Sequence, residues 1–209
     1  MPLSRHHAAA MARRLIQLYA GLILYGASMA LQIRAGLGLD PWDVFHQGVS
    51  EKTGLSFGTV VIVTGALVLM AWIPLRQRPG IGTVSNVFVI GIAVDAALAL
   101  IPDVHALPAQ LAMLAAGVFL NGVAGAAYIG AGLGPGPRDG LMTGLVSRTG
   151  GSVGRIRTGI EITVLVAGFA LGGTVGLGTV VYALSIGPLL QLLLPAFTIR
   201  EPEPAVAPA

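Results

Sequence analysis

The sequence has no cysteine and few charged residues, and both shortages limit what this protein can be. Of its 209 residues, 10% are charged and 6% are aromatic, whereas 55% are hydrophobic. The lack of cysteine excludes disulfide bonds, thiolate metal sites and cysteine nucleophiles. Soluble domains carry about 25% charged residues, so too few polar side chains are present here to cover a globule in water. The composition therefore predicts a membrane protein, for which the bilayer is the solvent.

Six apolar runs are long enough to cross a bilayer as helices, which takes about 17 to 25 residues each. Segments rich in glycine and proline separate these runs, and such segments end helices. The predicted spans are residues 15–33, 57–75, 83–101, 107–131, 153–171 and 179–197. The expected fold is all-α: one polytopic membrane domain of six helices.

The basic residues indicate an orientation, because loops rich in lysine and arginine stay on the cytoplasmic side. With residues 1–14 as a basic cytoplasmic N-terminus, ten of the twelve Lys and Arg residues fall on the inner side and only Arg34 and Lys52 on the outer side. Both termini are then cytoplasmic, and the proline-rich tail 198–209 is expected to be disordered. Because the basic residues sort by membrane side, the net charge of +3 does not indicate nucleic-acid binding.

The chain repeats itself at an offset of 96 residues without a gap. Gly36-Leu37-Gly38 recurs as Gly132-Leu133-Gly134, and the matches continue through three spans. The further matched pairs are Pro41 with Pro137, Asp43 with Asp139, Gly48 with Gly144, Ser56 with Ser152, Gly58 with Gly154, and Ile90-Gly91 with Ile186-Gly187. This spacing predicts a duplication, with one repeat over residues 15–102 and the other over residues 107–197.

The two repeats are expected to be inverted relative to each other. Each contains three crossings, an odd number, so the second repeat must enter the membrane from the side opposite to the first. Inverted repeats recur in secondary transporters, where binding sites form near the middle of the membrane at the repeat interface. The analogy favours transport, although a shared architecture does not by itself establish a function.

Each repeat carries a short helix after its first span, over residues 41–54 and 137–150. Proline at the first helical position, an acid in the first turn and a closing glycine are typical of such a helix. At 1.5 Å per residue it measures roughly 20 Å, too short to cross a core of about 30 Å. Two interpretations remain: a strut at the membrane interface, or two half-helices that converge from opposite sides and point their N-terminal amides at a ligand.

Five charged residues are the candidate substrate-binding residues: Asp43, Asp139, Arg138, Asp95 and Glu161. Asp95 and Glu161 lie inside predicted spans, where an ionisable side chain costs about 2.5 to 3.5 kcal/mol at the helix centre and generally faces a cavity or a partner. The alternative for Glu161 is an ion pair with Arg157, one turn away. The alternative for Asp95 is a position near the outer surface.

Other polar and aromatic residues have structural interpretations. Ser56 and Ser152 are placed to cap the second span of each repeat, and Thr83 and Thr179 to cap the third. Asn121, Tyr128 and Tyr182 are expected to form hydrogen bonds between helices, as are Asn86 and Gln191. Trp42 and Trp72 suit the aromatic belts at the membrane surface. No metal site, cofactor site or set of catalytic residues can be assembled from the sequence.

The strings Gly36-Leu37-Gly38-Leu39-Asp40-Pro41-Trp42-Asp43, Ile73-Pro74-Leu75-Arg76-Gln77-Arg78-Pro79-Gly80-Ile81-Gly82-Thr83 and Gly132-Leu133-Gly134-Pro135-Gly136-Pro137-Arg138-Asp139-Gly140 carry a resemblance. They are similar to the YczE-type branch of the YczE/YyaS/YitT family of bacterial integral membrane proteins. The similarity extends over residues 15–195. It implies a multi-pass protein of the bacterial inner membrane, and it supplies neither a substrate nor catalytic residues.

Three hypotheses about function follow. The first is a small permease that contacts the bilayer and one small-molecule substrate, either as a homodimer or with a partner subunit. The second is an accessory subunit or a scaffold in contact with lipid, and a closed apolar repeat interface would favour it. The third is the substrate-binding subunit of an ATP-driven importer. No enzyme is expected.

Overall fold

The computed structural model describes the backbone of residues 2–199 and the side chains of residues 8–199, and in this part every regular element is an α-helix. The helices are α1 Pro2–Ala35, α2 Pro41–Thr53, α3 Phe57–Leu75, α4 Ile81–Leu100, α5 Leu107–Gly130, α6 Pro137–Thr149, α7 Val153–Ala170 and α8 Leu177–Phe197. One short helix follows the first long helix in each half of the chain. Residues 200–209, which make up most of the predicted tail, lie outside the described residues.

Five helices are long and apolar enough to cross a membrane. They are α1 from Ala8 to Ala35, α3, α4, α5 and α8. These helices confirm the prediction of an all-α, polytopic membrane protein. The segment predicted as the fifth of six spans forms α7, which carries three charged residues within its 18, Arg155, Arg157 and Glu161, and is not among these five helices. Its crossing of the membrane stays a prediction.

All four side chains predicted to cap long helices accept a backbone N–H at a helix start, two from the N-cap position and two from the third helical position. The Ser56 and Ser152 hydroxyls accept hydrogen bonds from the backbone N–H groups of Thr59 and Arg155, as predicted for N-caps. Thr83 and Thr179 are not N-caps, because α4 and α8 begin two residues earlier. Their hydroxyls instead accept the N–H groups of Gly80 and Gly176, which precede these helices.

The centre of the molecule is the contact between α1 and α5. Helix α4 packs beside α1 and α8 beside α5, while α2 lies against α7 and α6 against α3. Fully buried Leu18, Leu22 and Met29 of α1 belong to the main apolar core. The short helices therefore connect the two halves, because each packs against a long helix of the other half.

Close contacts between α1 and α5 occur twice, with the two halves exchanging roles. A Cβ atom on Gly21 would lie 2.8 Å from the backbone nitrogen of Tyr128. A Cβ atom on Gly117 would lie 3.3 Å from the backbone nitrogen of Gln32. Gly117 stands 96 residues after Gly21, and Tyr128 stands 96 residues after Gln32. Glycine at both positions lets the helices approach more closely than other residues permit.

A second reciprocal contact joins the loops before α2 and α6 to the starts of α8 and α4. The N–H of Gly178 donates to the carbonyl of Leu37 at 2.7 Å, and the N–H of Gly82 donates to the carbonyl of Leu133 at 2.8 Å. Each bond is the other shifted by 96 residues with the halves exchanged. These bonds hold the loops that lead into α2 and α6, and so they help to position the first turns of both short helices.

Candidate functional site

Helix α2 begins with a fully satisfied cap. The carboxylate of Asp40 accepts hydrogen bonds from the N–H groups of Trp42 at 2.8 Å and Asp43 at 3.0 Å, and Pro41 occupies the first turn. Gly54 ends the helix with a φ of 73°, a left-handed conformation that glycine adopts without strain. Helix α6 repeats this design with Pro137 and Gly150, but Gly136 supplies no side-chain cap.

Arg138, in the first turn of α6, connects the two short helices. Its guanidinium lies 3.7 Å from a carboxylate oxygen of Asp40 and 3.6 Å from one of Asp43. The guanidinium carbon also lies 4.9 Å from the ring centre of Trp42, a distance typical of a cation–π contact. The Arg138 side chain therefore bridges the first turns of α2 and α6.

Burial controls the protonation of the groups at this meeting point. Burial raises the pKa of Asp40, with a further rise from the Asp43 charge, while Arg138 opposes both. Burial likewise raises the pKa of Asp43, and the Arg138 charge opposes it. His46 lies 3.1 Å from Asp43 through its Nδ1 atom, and burial lowers the His46 pKa. Its imidazole is therefore neutral and holds Asp43 in place.

A cavity of about 190 Å³ lies beside these helix starts. Its lining combines carboxylate, guanidinium, amide and phenol groups with aliphatic side chains. The polar and aromatic residues that line it are Tyr25, Asp40, Trp42, His46, Thr64, Asn86, Asn121, Tyr128, Arg138, Asp139, Arg157, Glu161 and Tyr182. Within the described residues, no group of three or more His, Asp or Glu side chains is arranged to hold a metal ion.

Hydrogen bonds between long helices form the back wall of the cavity. The Asn121 amide donates to the Ser28 hydroxyl at 2.9 Å, and the Tyr182 hydroxyl donates to the Asn121 carbonyl at 3.0 Å. The Tyr128 hydroxyl donates to Asp139 at 3.3 Å. These contacts confirm that Asn121, Tyr128 and Tyr182 bond to other helices. They also use up polar atoms that would otherwise be free to bind a solute.

Of the five predicted site residues, three line the cavity, one lies behind its lining and one lies elsewhere. Arg138, Asp139 and Glu161 line the cavity. Asp43 lies behind the lining, with its side chain 3% exposed and its carboxylate directed at His46 and Arg138. Glu161 accepts a hydrogen bond at 2.9 Å from Arg157, the pairing given as its alternative.

Asp95 lies outside this cavity. Its carboxylate accepts the N–H of Gly58 at 2.7 Å and the hydroxyl of Ser56 at 2.6 Å, so it caps the start of α3 from the end of α4. The structure thus gives Asp95 a helix-capping contact away from the site.

Sequence reasoning missed several residues of this site. Asp40 directly precedes Pro41, and an acid before a helix-starting proline is a recognisable N-cap signal. The positions of Tyr25 and Trp42 left no such signal. The prediction that Trp42 and Trp72 lie in interfacial belts is wrong, since the two residues are only 8% and 2% exposed and pack inside the protein. Trp72 packs under α6 and donates to the carbonyl of Pro137 at 3.0 Å.

Comparison with known proteins identifies the family. Residues 12–195 match the model described as a family of unknown function, DUF6198. An uncharacterized protein of Haemophilus influenzae is 37% identical over 173 residues, which cover 83% of this chain and 79% of the relative. The uncharacterized membrane protein YczE of Bacillus subtilis is 36% identical over 180 residues, 85% of this chain and 83% of YczE.

A third relative extends the similarity. The uncharacterized protein YyaS of Bacillus subtilis is 26% identical over 179 residues, which cover 84% of this chain and 89% of YyaS. No solved structure matches the chain. The resemblance to YczE is confirmed, and together with the five apolar helices it makes this chain a membrane protein. The chain belongs to the DUF6198 family and is similar to YczE.

Proposed function

We propose that this protein is a small permease in which six spans form two inverted three-span repeats. In this account α7 is the additional span, and α2 and α6 are half-helices that enter the membrane from opposite sides. Their N-terminal ends meet near the middle of the bilayer beside the cavity. The observation that carries the proposal is the position of Arg138, within 3.7 Å of Asp40 and 3.6 Å of Asp43 across the two halves of the chain.

The reciprocal contacts support an inverted arrangement. When two equivalent units are related by a two-fold axis, every contact between residue i and residue j has a partner in which the roles are exchanged. The pair of bonds from Gly178 to Leu37 and from Gly82 to Leu133 has this property. A two-fold axis in the membrane plane relates three-span units of opposite orientation, as in known secondary transporters.

The charged groups favour a solute with a cationic group. Asp40, Asp139 and Glu161 line the cavity against the guanidinium groups of Arg138 and Arg157, and Asp43 adds a fourth carboxylate behind it. The positive end of α2 is already occupied by the Asp40 carboxylate. An additional anion would therefore meet excess negative charge, whereas the ammonium group of an amine or a zwitterion would pair with these carboxylates.

The cavity volume limits the size of the solute. At about 190 Å³ the cavity is smaller than the roughly 300 to 1,000 Å³ of pockets that bind drug-sized molecules, so it suits a small solute. Glycine and choline are suitable probes of the zwitterionic and cationic classes, and inorganic phosphate is the matched anionic probe.

Uptake into proteoliposomes tests the proposal. Liposomes that contain the purified protein should accumulate radiolabelled glycine or choline faster than empty liposomes, and phosphate should enter at the background rate. The Asp139→Asn variant should lower the uptake at least tenfold, because it removes a carboxylate that lines the cavity. Equal uptake by protein-containing and empty liposomes for all three probes would contradict the proposal.

The accessory-subunit hypotheses make different predictions. A non-transporting scaffold was expected to have a closed apolar repeat interface, and a polar cavity with five charged lining residues argues against that arrangement. An importer subunit would co-purify with an ATPase from its native membrane and would transport only in its presence. Uptake by the isolated chain therefore separates the permease from the importer subunit.

A further inference from the structure

The two helix pairs that stand at equivalent places in the repeats have different packing. Helix α3 packs along α4, whereas the equivalent helices α7 and α8, both fully described, have no comparable contact. The sequence offset relates the two pairs residue by residue, so the difference is one of conformation. It breaks the two-fold symmetry that the reciprocal contacts otherwise follow.

Two glycines bring the backbones of α3 and α4 into direct contact. A Cβ atom on Gly58 would lie 2.0 Å from the carbonyl oxygen of Gly91, and one on Gly91 would lie 2.6 Å from the carbonyl oxygen of Gly58. The Asp95 carboxylate closes the same end of the pair by accepting bonds from Ser56 and Gly58. This end of the α3–α4 pair is therefore shut.

The equivalent glycines of the second repeat face open space. Within the described residues, a Cβ atom on Gly154 or on Gly187 would meet no atom of another element within 4 Å. Gln191, which stands at the position equivalent to Asp95, is exposed. The second repeat thus has Ser152, Gly154, Gly187 and Gln191 at the positions equivalent to the residues that join α3 to α4. In this structure α7 and α8 do not make the equivalent contact.

The open pair borders the cavity. Its lining includes Arg157, Ile160 and Glu161 of α7 together with Ile186 and Leu190 of α8. The side chains of Arg157 and Glu161 are 55% and 40% exposed, and such a charged pair requires water when it lies within a membrane. In the proposed function, where α7 is a span, the gap between α7 and α8 is the route by which water reaches the cavity.

We propose that this structure is one of two states that interconvert by exchanging the conformations of the repeats. This inference rests on the proposed function and on the orientation expected from the basic residues, which together place the open start of α7 on the cytoplasmic side. In the other state Gly154 contacts Gly187, and the Gln191 amide carbonyl accepts bonds at the start of α7. Helix α3 separates from α4 in that state, and the cavity opens to the outer side.

Two matched leucine substitutions drive the equilibrium in opposite directions. Gly58→Leu places a side chain where the Gly91 carbonyl now lies, so it blocks the observed state and favours the outward-open state. Gly154→Leu enters open space in the observed state and blocks only the closure of α7 on α8. Since the chain has no cysteine, a single Met142→Cys substitution in the cavity lining reports access to a membrane-impermeant thiol reagent.

The thiol labelling rates in inside-out and right-side-out vesicles test the inference. In the Met142→Cys background, Gly154→Leu should reduce labelling from the outer side at least tenfold and retain labelling from the inner side. Gly58→Leu should increase outer labelling several-fold and reduce inner labelling. Asp95→Ala is a second variant for the case in which the Gly58→Leu protein does not fold. It removes only the bonds to Ser56 and Gly58, and it should shift access in the direction expected for Gly58→Leu.

The outcomes separate this inference from the proposed function. Labelling that responds to neither substitution, or that shifts in the same direction for both, would overturn the exchange of states while leaving an accessible cavity. A Met142→Cys variant that is unreactive from both sides would overturn the permease itself together with this inference.

Discussion

At the scale of single residues, Arg138 holds the site together. Its guanidinium is the cation nearest to the buried carboxylates of Asp40 and Asp43, and those carboxylates are the reason its pKa is raised despite burial. Removing one member of a buried charge cluster leaves the other charges without compensation, which typically costs about 3 to 5 kcal/mol. Arg138, in the second half of the chain, thus stabilises two buried carboxylates of the first half.

The Arg138→Gln variant should therefore be markedly less stable. We expect a loss of about 3 kcal/mol, because Asp40 and Asp43 lose their nearest cation. The measurement is thermal unfolding of the detergent-purified protein. Adding Asp43→Asn should recover part of the loss, since it removes one of the uncompensated charges.

Arg155→Gln is the control for this experiment. Arg155 is exposed, so replacing it should change stability by about 0.5 kcal/mol or less. If Arg138→Gln and Arg155→Gln melted at the same temperature, the account of Arg138 would be contradicted.

At the scale of elements, the short helices contact their neighbours through complementary sizes. On α6, Gly140 lies against the Trp72 ring of α3, so close that a Cβ atom would be 1.9 Å from it. At the equivalent place in the other repeat, Gly168 of α7 lies against the backbone of Val44 and Phe45 on α2. In each case a glycine lets the partner helix approach closely.

A double-mutant cycle tests this complementarity. Gly140→Val should be strongly destabilising because the valine collides with Trp72, and Trp72→Ala should cost about 3 to 5 kcal/mol by leaving a cavity. Together the two should cost at least about 1 kcal/mol less than their sum, because the valine fills space that the tryptophan vacates. Gly159→Ala, in open space, is the control in thermal unfolding. Strict additivity would contradict the direct contact.

The elements were more predictable from sequence than the site. Local backbone chemistry determines helix ends, so Pro41 and Pro137 at the starts and Gly54 and Gly150 at the ends gave the short helices correctly. The meeting of Arg138 with Asp40 depends on packing between residues almost 100 positions apart. No local pattern encodes such a contact. The burial of Trp72 was missed for the same reason, since an isolated tryptophan suits either a membrane surface or a tight helix contact.

At the scale of the whole molecule, the account depends on the orientation of the two halves. The short helices can meet N-terminus to N-terminus at mid-membrane only if their C-terminal ends point to opposite sides. Thr53 and Thr149 mark those ends, are exposed, and hydrogen-bond in the same way to the carbonyls of Val49 and Leu145. They are a matched pair for determining topology.

Cysteine labelling at these two positions measures the orientation directly. Because the chain has no cysteine, Thr53→Cys and Thr149→Cys each introduce a single reactive site. In intact cells, a membrane-impermeant maleimide should label the Thr53→Cys variant, and it should label the Thr149→Cys variant only after the membrane is permeabilised. Labelling of both variants from the same side would contradict the inverted repeats and the site formed between them.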